Sequence, residues 1–292
     1  MRELSDSFFE RLKSGFLSGI TESVKSDPDL NFEIRDGYIN VYYKGGSLLK
    51  LTETGGSRYK ADILEKFLEG IDLPLDFNES AVSQFVSAIP LIKQNIIKHG
   101  NKHGDKRGKQ SLEVEYEQMI IRANNFESRN NTEYFIVDKQ YAAKDGRFDL
   151  TGIFWDRNRR RANQEVPVCL IEVKFALNAD IKEVHEQIER YYKSIESRAE
   201  EFATEMQTVF RQKIELGLYK QPAERIDALK TLTFSKSIEN FQFILVLVDY
   251  NPNSAHLDLQ NLANLPFANQ VKVFFSGFAM WQQNVKPLSS YL

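Results

Sequence analysis

The stretch CLIEVKFALN, residues 169–178, constrains the fold of this chain more than any other segment. Its apolar residues are those of a buried β-strand, but Glu172 and Lys174 interrupt them two positions apart. Because side chains alternate between the two faces of a strand, both charges point to the same face. Burying charges is costly unless they are paired or bind a metal. The stretch therefore predicts a core strand in which Glu172 and Lys174 share one face and have a functional role.

The composition is that of an ordinary globular protein, and it limits the classes of function. The chain has 292 residues, 42% of them hydrophobic, which suffices for one large domain or two of average size. Its formal net charge is −3, so any surface for nucleic acid must be local. Cys169 is the only cysteine, which excludes an intrachain disulfide framework and a thiolate metal cluster. We expect a cytoplasmic protein, because the sequence has neither the pattern of a signal peptide nor an apolar stretch of membrane-spanning length.

The first third of the chain has the pattern of a small α/β region. Apolar residues at helical spacing, with Ser5 and Asp6 as candidate caps, predict one helix that ends before Pro28. Short runs of Tyr, Ile, Val and Leu between residues 32 and 54, separated by Asp-Gly and Gly-Gly, predict a meander of three antiparallel strands. Helical patterns follow around residues 60–70 and 79–98, the second bent or interrupted at Pro90.

A candidate linker separates this region from the rest of the chain. Residues 98–109, KHGNKHGDKRGK, contain five Lys or Arg and three Gly, a composition typical of an exposed linker. The sequence therefore predicts an N-terminal accessory α/β region over residues 1–105 and a second domain over residues 106–292.

The second domain has the pattern of a mixed α/β fold. An apolar stripe predicts a helix with Ser111 as its N-cap. Three strands follow, then a long helical stretch from about residue 180, and then the apolar strand FQFILVLVDYN at 241–251. A later run, VKVFFSGFAMW, predicts an additional edge strand. The predicted order is helix, strand, strand, strand, helix, strand.

Three charged residues of two neighbouring strands point to one kind of chemistry. Asp149 lies in the apolar strand RFDLTGIFWD, 23 residues before Glu172, so the two strands can pair as an antiparallel hairpin. That pairing brings Asp149 beside Glu172, with Lys174 one step along the same face. Two converging carboxylates repel each other unless a cation lies between them, and such oxygen ligands suit Mg²⁺ or Mn²⁺. A neighbouring ammonium group can orient or help deprotonate a metal-bound water, so the residues predict metal-assisted phosphodiester hydrolysis.

The pattern GRFDL…IEVK resembles the PD-(D/E)XK nuclease superfamily, in which an Asp and then Glu-X-Lys on the next strand form the metal and catalytic site. The resemblance covers residues 111–251 and implies a restriction-endonuclease-like core, αβββαβ, in an α/β fold with a mixed sheet. It implies a Mg²⁺-dependent endonuclease, a hydrolase acting on DNA, in which Mn²⁺ can substitute. Asp149 and Glu172 are then metal ligands, and Lys174 positions or activates the attacking water. Phe148 stands where the family has Pro, a departure that leaves the chemistry intact.

Two helices add residues to the implied site. Many members of the superfamily place a metal-binding glutamate on the first core helix, and LEVEYE offers Glu113, Glu115 and Glu117. The spacing is similar to that of archaeal Holliday-junction resolvases, which favours Glu113, with Glu115 as the second choice. Gln187 and Tyr191 form the Q-x-x-x-Y pattern of RecB-like members, and their i, i+4 spacing places both on one helix face.

A basic loop is the candidate for contact with nucleic acid. The loop RNRRR joins the two catalytic strands, and its arginines can neutralise phosphates. These arginines are Arg157, Arg159, Arg160 and Arg161. Exposed charge runs more often serve only solvation, and the sequence has no helix-turn-helix, zinc-finger or RNA-recognition signature.

Other interpretations stay open at this level. Taken alone, Glu172 and Lys174 are better explained as the paired, solvated face of an edge strand, and Asp149 in its own apolar strand is what favours the functional interpretation. Each glutamate at 113–117 is equally well explained as part of a solvated helix face. The same fold also serves as a non-catalytic nucleic-acid-binding or assembly module, and RNA is an alternative substrate. Because double-strand cleavage often needs two active sites, a homodimer is compatible with the resemblance.

Overall fold

The computed structural model describes residues 2–99, 107–143, 146–175, 179–251, 253–254, 257, 259–282 and 285–291. Within these ranges the chain forms two five-stranded β-sheets and eight α-helices, which confirms the prediction of a mixed α/β architecture. None of the helices in these ranges combines the length and the apolar composition that crossing a membrane requires.

The N-terminal region contains the predicted meander, extended by two further strands. Its elements are α1 (Asp6–Lys13), α2 (Ser18–Ser26), β1 (Leu30–Ile34), β2 (Tyr38–Tyr43), β3 (Gly46–Glu53), β4 (Tyr59–Asp62), β5 (Asp76–Phe77) and α3 (Glu79–His99). The strands lie in chain order from β1 to β5, and every neighbouring pair is antiparallel. Ser5 caps α1 as predicted, because its side chain accepts a hydrogen bond from the Phe8 amide.

The prediction of one continuous first helix is wrong, because this segment forms two helices, α1 and α2. The break between α1 and α2 includes Gly15, a residue with weak helix propensity. The break lets Phe8 and Phe16 both contact the ring of Tyr59, with centroid distances of 4.9 and 5.8 Å. Tertiary packing therefore overrides the continuous helical spacing of the sequence.

The helix predicted around residues 60–70 is also wrong. This segment contains β4 and a single 3-10 turn at Glu65–Phe67. Tyr59 and Ala61 are buried, whereas their neighbours in the strand are exposed, so burial alternates as in a β-strand. The alternation covers only four residues, which is too short to identify a strand from the sequence. The following helix, α3, continues through Pro90 without interruption, and Pro90 lies on its exposed side.

The second sheet has the element order that was predicted. Its region contains α4 (Arg107–Ile121), β6 (Tyr134–Ala143), β7 (Gly146–Phe154), β8 (Val168–Phe175), α5 (Val184–Glu196), α6 (Ala199–Glu215), α7 (Ala223–Lys230), β9 (Gln242–Val248), α8 (Gln260–Ala263) and β10 (Val271–Ser276). Strands β6, β7 and β8 are antiparallel neighbours, β9 lies parallel to β8, and β10 forms the edge beyond β9. Ser111 lies inside α4, so its prediction as an N-cap is wrong, and the long helix expected after residue 180 is divided into α5 and α6.

Different helices cover the two faces of this sheet. On one face, Ile171 and Val173 of β8 form a core with Ile121 of α4. On the other face, Leu170 belongs to the larger core that contains Tyr191 of α5 and residues of α6. Glu172 therefore lies on the α5 face of a strand that is buried on both sides.

The larger core continues into the N-terminal sheet, so the two regions share their interior. The predicted boundary between residues 105 and 106 lies outside the described residues. Across the junction, Lys213 Nζ of α6 lies 2.7 Å from Glu33 Oε2 of β1, and Arg35 pairs with Asp138 of β6. Arg2 binds the second oxygen of Asp138 at 2.5 Å. The N-terminal region is thus joined to the second sheet by apolar packing and by buried ion pairs.

Candidate active site

The candidate site lies where β7 and β8 separate. Their pairing ends at Leu150–Ile171, and beyond it the Val173 amide donates a hydrogen bond to the side chain of Asp149 at 2.9 Å. On the other side of β7, Asp149 has no paired partner in β6, where Gln140 has a φ of 56°. Phe148 belongs to the core under α5, whereas Leu150 belongs to the core under α4. Asp149 therefore lies at the point in β7 where the apolar side chains switch from the core under α5 to the core under α4.

Glu172 and Lys174 meet directly, as their spacing in β8 predicts. Lys174 Nζ lies 2.6 Å from Glu172 Oε1. Glu172 is 2% exposed and the Lys174 side chain is 12% exposed. Within the described residues both charges lie in a nearly closed setting, because α5 covers this face of β8.

Tyr191 and Gln187 of α5 hold the second oxygen of Glu172. The Tyr191 hydroxyl lies within hydrogen-bond distance of Glu172 Oε2 and of the Arg147 carbonyl, at 2.9 Å from the latter. Gln187 Nε2 donates to the same hydroxyl at 2.9 Å. The predicted Q-x-x-x-Y pair therefore contacts the site, and it does so through the carboxylate of Glu172.

Two of the three candidate glutamates of α4 face the site. Glu113 and Glu117 are one helical turn apart, and both lie close enough to Glu172 for its charge to raise their pKa values. Glu115 points away from them and pairs with Lys44 of the N-terminal region at 3.4 Å. The first choice, Glu113, thus lies at the site, the second choice, Glu115, does not, and Glu117 is a further member.

Lys139 is a member of the site that the sequence reading missed. It lies in β6 opposite Leu150, on the face covered by α4, and it is 2% exposed. Its Nζ is 3.0 Å from Glu117 Oε2, without the alignment of a hydrogen bond. The signal was present in YFIVDKQ, where two charges interrupt an apolar strand just as Glu172 and Lys174 do. Asp138, its neighbour, points to the opposite face and binds the N-terminal region.

The site carries an excess of negative charge. Four carboxylates, those of Asp149, Glu172, Glu113 and Glu117, face two buried ammonium groups, those of Lys174 and Lys139. Burial raises the pKa of Asp149 well above its usual range. The charges of the other carboxylates raise it further, and Lys174 offsets this only in part.

The same environment raises the pKa values of Glu113, Glu117 and Lys174. Burial raises the pKa of Glu113, Lys174 opposes this shift, and the charge of Glu172 adds to it. Burial also raises the pKa of Glu117, against the opposing charge of Lys139. Burial alone lowers the pKa of Lys174, but its carboxylate neighbours, Glu172 first, outweigh burial and raise it. Lys174 is therefore a protonated ammonium group at neutral pH.

The donor set fits a hard divalent cation in chemistry and in charge. Carboxylate oxygens are the ligands that Mg²⁺ and Mn²⁺ prefer, and a charge of +2 offsets the excess of four carboxylates over two lysines. In the ranges that the structure describes, however, no three His, Cys, Asp or Glu side chains have the spacing of a formed metal site. Binding a cation therefore requires these side chains to rearrange.

The basic loop lies away from the site. Its arginines follow β7 at Phe154, whereas Asp149 lies near the start of that strand, roughly 17 Å away at the rise of an extended chain. Arg160 is engaged in the fold, because its guanidinium binds Asn131 at 2.9 Å and lies over the ring of Trp155. Arg157, Arg159 and Arg161 are exposed. The structure does not bring the loop predicted to bind nucleic acid to the candidate catalytic residues.

No protein-family model, curated protein or solved structure matches the chain.

Proposed function

We propose that this chain is a Mg²⁺-dependent nuclease of the PD-(D/E)XK type that hydrolyses phosphodiester bonds, with DNA as its substrate. The observation that carries the proposal is the convergence of Asp149, Glu172 and Lys174 where β7 and β8 separate. Keeping several carboxylates together in a buried site costs stability, and a cation-dependent reaction gives a reason for that cost.

The arrangement of elements supports the same proposal. A helix, three antiparallel strands, a helix crossover and a parallel strand are what a restriction-endonuclease-like core requires, and α4, β6, β7, β8, α5 and β9 have this order. The charged residues lie on its two central strands, and Glu113 and Tyr191 reach them from the helices on the two faces.

The residues have distinct roles in the proposed reaction. Asp149, Glu172 and Glu113 hold the cation, which would lower the pKa of a bound water and offset charge on the phosphate. Lys174, as a protonated ammonium group, orients the attacking water and donates to the phosphate as charge develops on it. Tyr191 and Gln187 fix Glu172 through its Oε2.

A non-catalytic binding or assembly module on the same fold is the second candidate. The observation that favours it is that Glu172 is buried and engaged by both Lys174 and Tyr191. Under this alternative the charged groups form a closed ion-pair network with a purely structural role.

A cleavage assay distinguishes the two candidates. Linear, circular and single-stranded DNA and RNA are incubated with the full chain in Mg²⁺, Mn²⁺ or EDTA. We expect metal-dependent DNA cleavage that falls by about 10²–10³-fold in Lys174→Ala. Lys193→Ala is the matched control, because Lys193 makes only a surface pair with Glu189 on α5, and it retains full activity. Tight nucleic-acid binding without cleavage favours the second candidate, and cleavage of RNA alone overturns the assignment of DNA.

A further inference from the structure

The edge strand β10 presents an unusual surface. It is the last strand of its sheet, so in the described part of the chain one side of its backbone has no strand partner. Val273, Phe274 and Phe275 are exposed by 37%, 55% and 49%, so neither face of the strand is covered. Natural proteins usually protect such an edge with charges, bulges, proline or a covering element, because an apolar edge pairs with other chains.

The apolar surface continues beyond the strand. After Ser276, the chain exposes Phe278, Met280, Val285 and Leu288 by 59–85%. Seven of the thirteen large hydrophobic side chains that are exposed in the described ranges therefore lie between residues 273 and 288. We call these seven residues the β10 patch.

A groove extends the β10 patch onto the face of the sheet beside α4. Its volume is about 650 Å³, and Tyr116 and Ile120 of α4, Val246 of β9 and Phe274 of β10 are among its lining residues. The groove is mainly apolar and lies next to exposed apolar side chains of the same chain.

We infer that the β10 patch is the interface of a symmetric dimer, in which β10 of one chain pairs antiparallel with β10 of another. Pairing across a two-fold axis is necessarily antiparallel, and it joins the two five-stranded sheets into one of ten strands. This inference does not rest on the proposed nuclease function, because each candidate site lies within a single chain.

The area of the patch agrees with a stable dimer. Taking ~200 Å² for an aromatic side chain and somewhat less for the others, the exposed fractions amount to roughly 700–800 Å² per chain. A standard protein interface buries about 800 Å² on each partner. The seven side chains together expose more apolar area than the largest patch of a typical monomer, which is about 300–600 Å².

The charges along β10 are also compatible with self-pairing. Lys272 is the single charged residue of the strand. The two-fold axis of such a pairing passes between a residue and its own copy. A register centred on Phe274 places Lys272 opposite Ser276 of the other copy, and one centred on Val273 places Lys272 opposite Phe274, so in neither case do the two Lys272 side chains face each other. The two positive charges are thus kept apart. An axis at Lys272 itself would instead place the two lysines opposite each other, which is unfavourable.

Measuring molecular mass in solution tests the inference. Sedimentation velocity of the full chain over a micromolar concentration series is expected to give twice the 33.8 kDa mass of one chain. Phe274→Lys places a charge at the centre of the edge and is expected to weaken association about tenfold or more, that is by about 1.4 kcal/mol or more. Ile97→Lys, which alters an exposed residue of α3, is the matched control and retains the dimer. Circular dichroism and thermal unfolding establish that both variants stay folded.

Crosslinking locates the interface independently. Because Cys169 is buried, a cysteine introduced at 273 or 274 is the accessible thiol, and we expect mild oxidation to link two chains through at least one of these positions. Ile97→Cys is expected to stay unlinked. A wild-type chain that is monomeric throughout the series overturns the inference, as does a dimer that persists unchanged in Phe274→Lys and resists crosslinking through β10.

Discussion

Glu172 is held at both carboxylate oxygens, and these two contacts explain how a charged residue can lie in a core. Tyr191 binds one oxygen from the deep side, and Lys174 pairs with the other. Lys174 is the more exposed of the two charged residues, so under the proposed function a cation would reach Glu172 from the side of Lys174. The Lys174 ammonium group would then be available to water and phosphate.

Asp149 is expected to reduce the stability of the metal-free chain. Because its pKa is raised in the fold, the folded state binds this proton more tightly than the unfolded state. The stability that the proton contributes is present below the ordinary pKa of Asp and is lost as pH rises through the raised pKa. Asp149→Asn is therefore expected to stabilise the chain in EDTA by about 1–3 kcal/mol at pH 8 and by much less at acidic pH.

Urea unfolding at both pH values measures this effect. Asp227→Asn, at an exposed surface pair with Lys230, is the control and changes stability little at either pH. In Mg²⁺ the wild type is expected to gain stability and Asp149→Asn is expected not to. A loss of stability in Asp149→Asn that is equal at all pH values contradicts the account.

Lys139 is expected to matter through Glu117. Lys139→Met leaves a buried carboxylate without its partner, and breaking such a pair costs about 3–5 kcal/mol. Lys139→Met with Glu117→Gln removes both charges, so most of that loss should be recovered. A double-mutant cycle from denaturant unfolding measures the coupling free energy between Lys139 and Glu117. Additive effects of the two substitutions would show that these side chains do not stabilise each other.

At the scale of single elements, the orientation of α4 separates its glutamates. Glu113→Gln is expected to reduce metal-dependent cleavage by roughly 10–100-fold, the usual cost of losing a supporting ligand. Glu115→Gln is the matched control, because Glu115 pairs with Lys44 on another part of the surface. Steady-state rates at several Mg²⁺ concentrations make the comparison. Equal losses in both variants contradict the assigned helix face.

Elements with a strong local period were predictable, and those decided by distant contacts were not. Charges inside apolar strands identified Asp149, Glu172 and Lys174, because a period of two fixes their face. Lys139 carried the same signal, but its partner belongs to a helix, and no local rule connects them. The break at Gly15 and the short strand β4 were missed because packing on Tyr59 and pairing with β3 decide them.

At the scale of the whole molecule, the N-terminal region belongs to the structure that supports the site. Arg35 pairs with Asp138 and also donates to the Lys139 carbonyl at 2.7 Å, so it fixes the strand that carries Lys139. Arg35 and Asp138 are 103 residues apart, and Lys213 and Glu33 are 180 apart. Contacts over such separations have no signal in a local sequence pattern, and the larger core runs through both regions.

Separating the regions is therefore expected to prevent folding. A fragment of residues 106–292 loses the partners of Asp138 and Lys213 and exposes the apolar residues that pack against the N-terminal sheet. We expect it to be insoluble or to lack a cooperative thermal transition, whereas the full chain unfolds in one transition. A soluble fragment with a sharp transition would show that the regions are independent domains.

The central claim is that the carboxylates at the junction of β7 and β8 bind a divalent cation. The most direct test is a crystal structure of the full chain with Mn²⁺, measured by anomalous diffraction. We predict an anomalous peak between Asp149 and Glu172, with Lys174 moved away from Glu172 Oε1, and no such peak in Asp149→Asn. A chain that cleaves DNA with Mn²⁺ but shows the peak elsewhere, or a site that stays closed at saturating Mn²⁺, would contradict the account.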